Sequence, residues 1–119
     1  MKRIANPYKP LMDSIFHLKK KVTVYRTPNK LFYDNEGDVP PFECCALYIP
    51  PKWGKNKHHV IQLSGPESET LDKYLGNLTH EYVHAWQYEK GVDCTDPHDE
   101  KSQYIRWEKY LKKYYGITI

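Results

Sequence analysis

The stretch from Ser64 to Gly91 constrains this chain more than any other. Leu71, Leu75, Leu78, Tyr82 and Ala85 recur at helical spacing and predict a core-facing stripe on one long helix. Ser64-Gly65-Pro66-Glu67 has the S-x-x-E spacing of a capping box with proline in the first turn, so the helix is predicted to run from about Pro66 to Glu89. Gly91 supplies the left-handed stop. Gly76 costs such a helix about 1 kcal/mol against alanine, which predicts close packing of the sheet against it.

Inside that helix stands His80-Glu81-Tyr82-Val83-His84, an H-E-x-x-H spacing. At 3.6 residues per turn His80 and His84 leave the same face, and their ring nitrogens can converge on one ion. Glu81 is rotated by about 100° and flanks that ion without ligating it. Zinc takes imidazole donors in a tetrahedron and, where it is catalytic, keeps one position for water. It lowers the pKa of that water and polarises a carbonyl, while the glutamate serves as general base and then general acid. The competing reading is a decorated surface helix. Helical placement and a donor downstream favour the metal.

Three protein ligands are needed, so a third must come from beyond Gly91. The metzincin extension would put glycine at position 87 and histidine at position 90, where this chain has Gln87 and Lys90. His98, in Asp96-Pro97-His98-Asp99-Glu100, is the first choice, because a second helix after the Gly91 break could return it to the first. Glu100 competes, and Glu108 and Cys94 are weaker candidates. Thiolate is less usual where zinc must stay a strong Lewis acid.

The chain's 119 residues predict a single domain spanning 1–119, with residues 1–21 as an N-terminal arm and short helix. Its net charge of +3 is unevenly spread: residues 1–60 hold 11 Lys and Arg against 5 Asp and Glu, and residues 61–119 hold 7 against 10. The basic runs Lys19-Lys20-Lys21 and Lys52 to His59, with Trp53 able to stack on a base, give the N-terminal half the chemistry for DNA contact. Such runs are more often plain solvated loops. Three cysteines, two of them adjacent, make no disulfide framework and suggest a reducing compartment. No apolar run is long enough for a signal peptide or a membrane span. A cytoplasmic protein with no membrane partner is expected, and its oligomeric state is not legible.

In chain order, Leu11 to Lys20 predicts a short helix, and Val22 to Tyr25 a strand. A strand over Lys30 to Tyr33 is left open. Glu43 to Ile49 predicts one strand bounded by Pro40-Pro41 and Pro50-Pro51, and His59 to Leu63 another, joined by a hairpin-type connection. His17, His58 and His59 read as surface or hydrogen-bonded residues. A last helix from about Asp99 to Tyr115 carries Tyr104, Trp107 and Leu111 toward the core. The fold class is therefore α+β, with a sheet of three strands or slightly more on a central H-E-x-x-H helix and a C-terminal helix.

The strand ending Ala46-Leu47-Tyr48, the strand Val60-Ile61-Gln62-Leu63-Ser64, and then Leu78-Thr79-His80-Glu81-Tyr82-Val83-His84-Ala85-Trp86, with His98 beyond, resemble the SprT-like zinc metallopeptidases. The resemblance spans roughly Val22 to Tyr115. It implies a zincin-like fold, zinc (Zn2+) held by His80, His84 and His98, and Glu81 as catalytic base acting on a protein or peptide substrate. Members of the family include proteases that act on proteins crosslinked to DNA. The chain departs from the family at Asp99, where glycine is usual, and this keeps Glu100 open. Two other functions fit the same residues: a peptidoglycan or other amide hydrolase, and a non-catalytic DNA-binding or virion-type interaction protein with structural zinc. Tyr88 or Tyr104 could meet an oxyanion, although either reads first as structural.

Overall fold

The computed structural model describes residues 2–33, 42–51, 57–91 and 103–119, and the architecture is α+β. Four strands form one mixed sheet. β6 (His59–Ser64) pairs in parallel with β2 (Val22–Thr27), Val22 opposite His59, and antiparallel with β5 (Ala46–Ile49), Ala46 opposite Leu63. β1 (Lys2–Ile4) pairs antiparallel with the far side of β2, giving the order β1-β2-β6-β5. A parallel pair needs a long crossover, and the chain between β2 and β6 supplies it. That crossover contains a two-stranded ribbon of β3 (Leu31–Tyr33) and β4 (Phe42–Cys44).

Sequence and structure part company at three places in the sheet. Residues 1–10, read as an arm, contribute β1 and the start of a helix, because the partner that orders β1 lies twenty-odd residues away in β2. The single strand expected over Glu43 to Ile49 bends at Cys45 and serves two sheets, β4 in the ribbon and β5 beside β6. Lys30 to Tyr33, left open, is a strand from Leu31. The β5–β6 antiparallel pairing agrees with a hairpin-type connection, although residues 52–56 within it, Trp53 included, lie outside the described residues.

α1 (Lys9–Phe16) is shorter than the periodicity suggests, ending where His17 takes left-handed φ of 50°. α2 (Leu71–Lys90) begins later than the capping box predicts. Pro66–Ser68 forms a separate 3₁₀ turn, and Thr70 caps α2 by accepting the Lys73 N–H. Gly65 explains the delay: its N–H donates to the Thr27 carbonyl at 2.7 Å, and a Cβ there would stand 2.5 Å from that oxygen. The chain is pinned to β2 before the helix can start. Leu71, expected in the core stripe, is 63% exposed as the first residue of α2. At the other end Gly91 adopts φ of 68° and donates to the carbonyls of Gln87 and Tyr88, as predicted.

α2 is covered on several sides. Met12, Ile15 and Phe16 of α1, Val24 of β2, Ile61 and Leu63 of β6, and Leu78, Tyr82 and Val83 of α2 form one core with Tyr104 and Leu111 of α3 (Gln103–Tyr115) and with Ile117. The aromatic stripe of α3 therefore packs inward as expected, Trp107 meeting Phe16 at 4.7 Å and Trp86 at 5.3 Å between ring centroids. Gly76 faces the C-terminal tail rather than the sheet: a Cβ there would lie 2.6 Å from the Thr118 carbonyl oxygen. No helix among the described residues is long and apolar enough to cross a membrane.

Candidate metal centre on the long helix

His80 and His84 lie one turn apart on α2, half-buried, with their Nε2 atoms 3.1 Å from each other. Their Nδ1 atoms point away to other partners. His80 Nδ1 meets the Tyr104 hydroxyl at 2.6 Å, and His84 Nδ1 meets Gln87 Oε1 at 2.9 Å. Glu81 brings a carboxylate oxygen to 3.9 Å from His80 Nε2, and ligand atoms of the three residues all lie within 4.8 Å of one another. Helical geometry alone accounts for this convergence, since positions i and i+4 overlie each other.

The three side chains differ in exposure, and the difference matters chemically. Glu81 is only 5% exposed, and burial pushes its carboxyl up to about 8. Desolvation disfavours the anion, so the group exchanges a proton near neutral pH. Tyr104 is buried as well; burial first, then the charges of Glu108 and Glu81, hold its phenol above the ordinary value, so it stays protonated. Cys44 lies close enough to feel Glu81: burial first, then Glu81, Cys45 and Glu43, raise its thiol. A thiol raised in this way stays neutral and is a poor metal donor.

Among the described residues His80, Glu81 and His84 form the group able to hold a cation, and Glu108 does not join it. His98, Glu100 and Cys94 lie outside the described residues. His59, read as a surface or hydrogen-bonded residue, is hydrogen-bonded and wholly buried, bridging the Tyr48 hydroxyl at 2.7 Å and Glu89 at 2.6 Å, apart from the metal group. Lys19, Lys20 and Lys21 border a cleft of about 250 Å3 with Lys9, Asp13, His17 and Tyr82. Tyr82 is two residues, about 200°, round the helix from His80, so this basic cleft opens on the opposite side of α2.

Two partners of the histidines carry no sequence signal as strong as the motif. Gln87 follows His84 by three residues, a spacing that makes neighbours on a helix, and could have been found that way. Tyr104 could not, because only the docking of α3 brings it to His80. Gln87 is wholly buried, and its Nε2 has no partner among the described residues. An unpaired buried group of this kind costs about 1–3 kcal/mol, so the amide's own hydrogen bonding does not explain its placement.

No protein-family model matches this chain, and no curated protein or solved structure matches it either. The likeness to the SprT-like peptidases stands on the chain's own residues.

Proposed function

We propose that this chain is a zinc-dependent metallopeptidase of SprT-like, zincin type, with His80, His84 and His98 as metal ligands and Glu81 as the catalytic base. The observation that carries the reading is the pair of Nε2 atoms turned toward each other, with a buried carboxyl beside them and both Nδ1 atoms already partnered. Two imidazole nitrogens at one point, with an acid flanking them, are a donor set that fits zinc. Bound there, zinc supplies a water of lowered pKa and polarises the carbonyl to be attacked.

The chain's own residues supply the rest. Glu81 takes a proton from the attacking water and hands it to the leaving amine, a role that its place beside the two Nε2 atoms supports. β5, the strand at the outer edge of the four-stranded sheet among the described residues, offers backbone groups to which an extended peptide substrate can add. DNA contact through the basic N-terminal half is a separate matter, since the Lys19–Lys21 cleft opens away from the histidines.

Metal analysis of the wild type beside His80→Ala and His98→Ala, together with cleavage of an unfolded protein substrate by the wild type and by Glu81→Gln, tests the reading. Stoichiometric zinc in the wild type, its loss from both histidine variants, and cleavage that disappears in Glu81→Gln are expected. A wild type that binds zinc yet cleaves nothing, and is indistinguishable from Glu81→Gln, would overturn the peptidase.

A further inference from the structure

We propose that Tyr104 and Gln87 are positioning residues, which hold the rings of His80 and His84 in the Nδ1–H form so that both Nε2 lone pairs are offered to one divalent transition-metal ion. This rests on the reading of the site as a metal centre and adds which residues, beyond the ligands, set its affinity and geometry. An imidazole ligates only through an unprotonated nitrogen, and the partner of the other nitrogen decides where the proton stays.

For His84 that partner is Gln87 Oε1 at 2.9 Å, an atom that can only accept, so Nδ1 must donate to it. Gln87 lies one turn further along the same helix and is wholly buried, so it has little freedom to turn elsewhere. For His80 the partner is the Tyr104 hydroxyl at 2.6 Å, whose oxygen can accept from Nδ1–H, the form His80 takes when its Nε2 is left for a metal. The Tyr104 ring also lies 5.0 Å from the His80 ring and 6.2 Å from the His84 ring, centroid to centroid, which restrains the rotation of both. Tyr104 is anchored in turn by the core that holds Leu111 and Ile117. The first turn of α3 thereby becomes part of the metal centre.

Both outer partners are uncharged. A carboxylate in either place would raise the basicity of its ligand more than an amide or a phenol does. Removing either acceptor loosens the metal, and replacing the amide oxygen with a carboxylate oxygen tightens it.

The experiment is competition of zinc between the stripped, full-length chain and a chromophoric chelator, alongside the visible spectrum of the cobalt(II) form. Tyr104→Phe and Gln87→Met are each expected to bind zinc about 10-fold more weakly, with altered cobalt bands, while Gln87→Glu binds at least as tightly as wild type. Melting of the stripped proteins is run in parallel, and a loss of affinity without a matching fall in melting temperature marks positioning rather than general stability. Wild-type affinity and wild-type cobalt bands in both Tyr104→Phe and Gln87→Met would overturn this inference while leaving the metal centre standing. A wild type that takes up neither metal would overturn both. If a variant does not fold, nitrogen-15 spectra of the histidine rings in zinc-loaded wild type decide: Nδ1–H on His80 and His84 supports the proposal, and ligation through either Nδ1 defeats it.

Discussion

Glu81 combines two demands that pull against each other. Under the proposed function its carboxyl lies beside the histidines to handle a proton, and that place is dry enough to raise its pKa to about 8. A carboxyl whose folded pKa lies above its unfolded one weighs against the fold as pH rises through the interval between them, because the unfolded chain ionises first. With metal removed by a chelator, Glu81→Gln is therefore expected to melt no lower than wild type at pH 8, and to gain roughly 1–3 kcal/mol if the site stays dry. The same variant should lose at least about 100-fold in peptide hydrolysis, the scale of a general base. A variant less stable than wild type, or as active, would contradict this account of the residue.

At the scale of elements, the C-terminal end of α2 is tied to the sheet through one carboxylate. Glu89 accepts from His59 Nε2 at 2.6 Å and from the backbone N–H of Lys19 at 2.7 Å and Lys20 at 3.0 Å, while His59 reaches on to Tyr48 of β5. Burial alone would raise the Glu89 carboxyl; the His59 and backbone hydrogen bonds outweigh it and hold the group below its ordinary value of 4.5. A depressed folded pKa contributes stability that is present above the unfolded value and lost as pH falls through the folded one. Melting temperature measured from pH 6 down to pH 3 should fall more steeply in wild type than in Glu89→Gln, and parallel curves would refute this. Gly76 carries the second junction, between α2 and the tail. Gly76→Ala gains helix propensity but drives a Cβ toward the Thr118 carbonyl, so urea unfolding should show a net loss of about 1–3 kcal/mol. A more stable variant would mean that the tail yields freely.

For the molecule as a whole, the candidate metal centre is where three parts of the fold meet: α2 supplies His80 and His84, α3 supplies Tyr104, and the core behind them packs the two helices together. Ligand binding to the folded state alone stabilises it by about 2.7 kcal/mol at a free concentration one hundred times Kd. Zinc added to the stripped protein should accordingly raise its melting temperature in a concentration-dependent way, and His84→Ala should abolish the rise. A melting temperature indifferent to zinc would remove the metal from the account of this fold.

Local periodicity carried much of this into the sequence. The body of α2 and its stop at Gly91, the strands at Val22 and His59, the inward stripe of α3 and the convergence of His80, Glu81 and His84 all follow from local signals within one segment, so they were legible without any partner. The pairing of β1 with β2, the bend at Cys45, the late start of α2 after Gly65 and the burial of His59 depend on contacts between segments distant along the chain. Tyr104 is the clearest case. Its spacing with Trp107 and Leu111 says only that it faces inward, and the hydroxyl's place on His80 was decided by how α3 docks across α2. Sequence fixes which groups a single helix can bring together, because that geometry is intrinsic to the backbone; which groups meet from different elements is set by packing, which belongs to the whole chain at once.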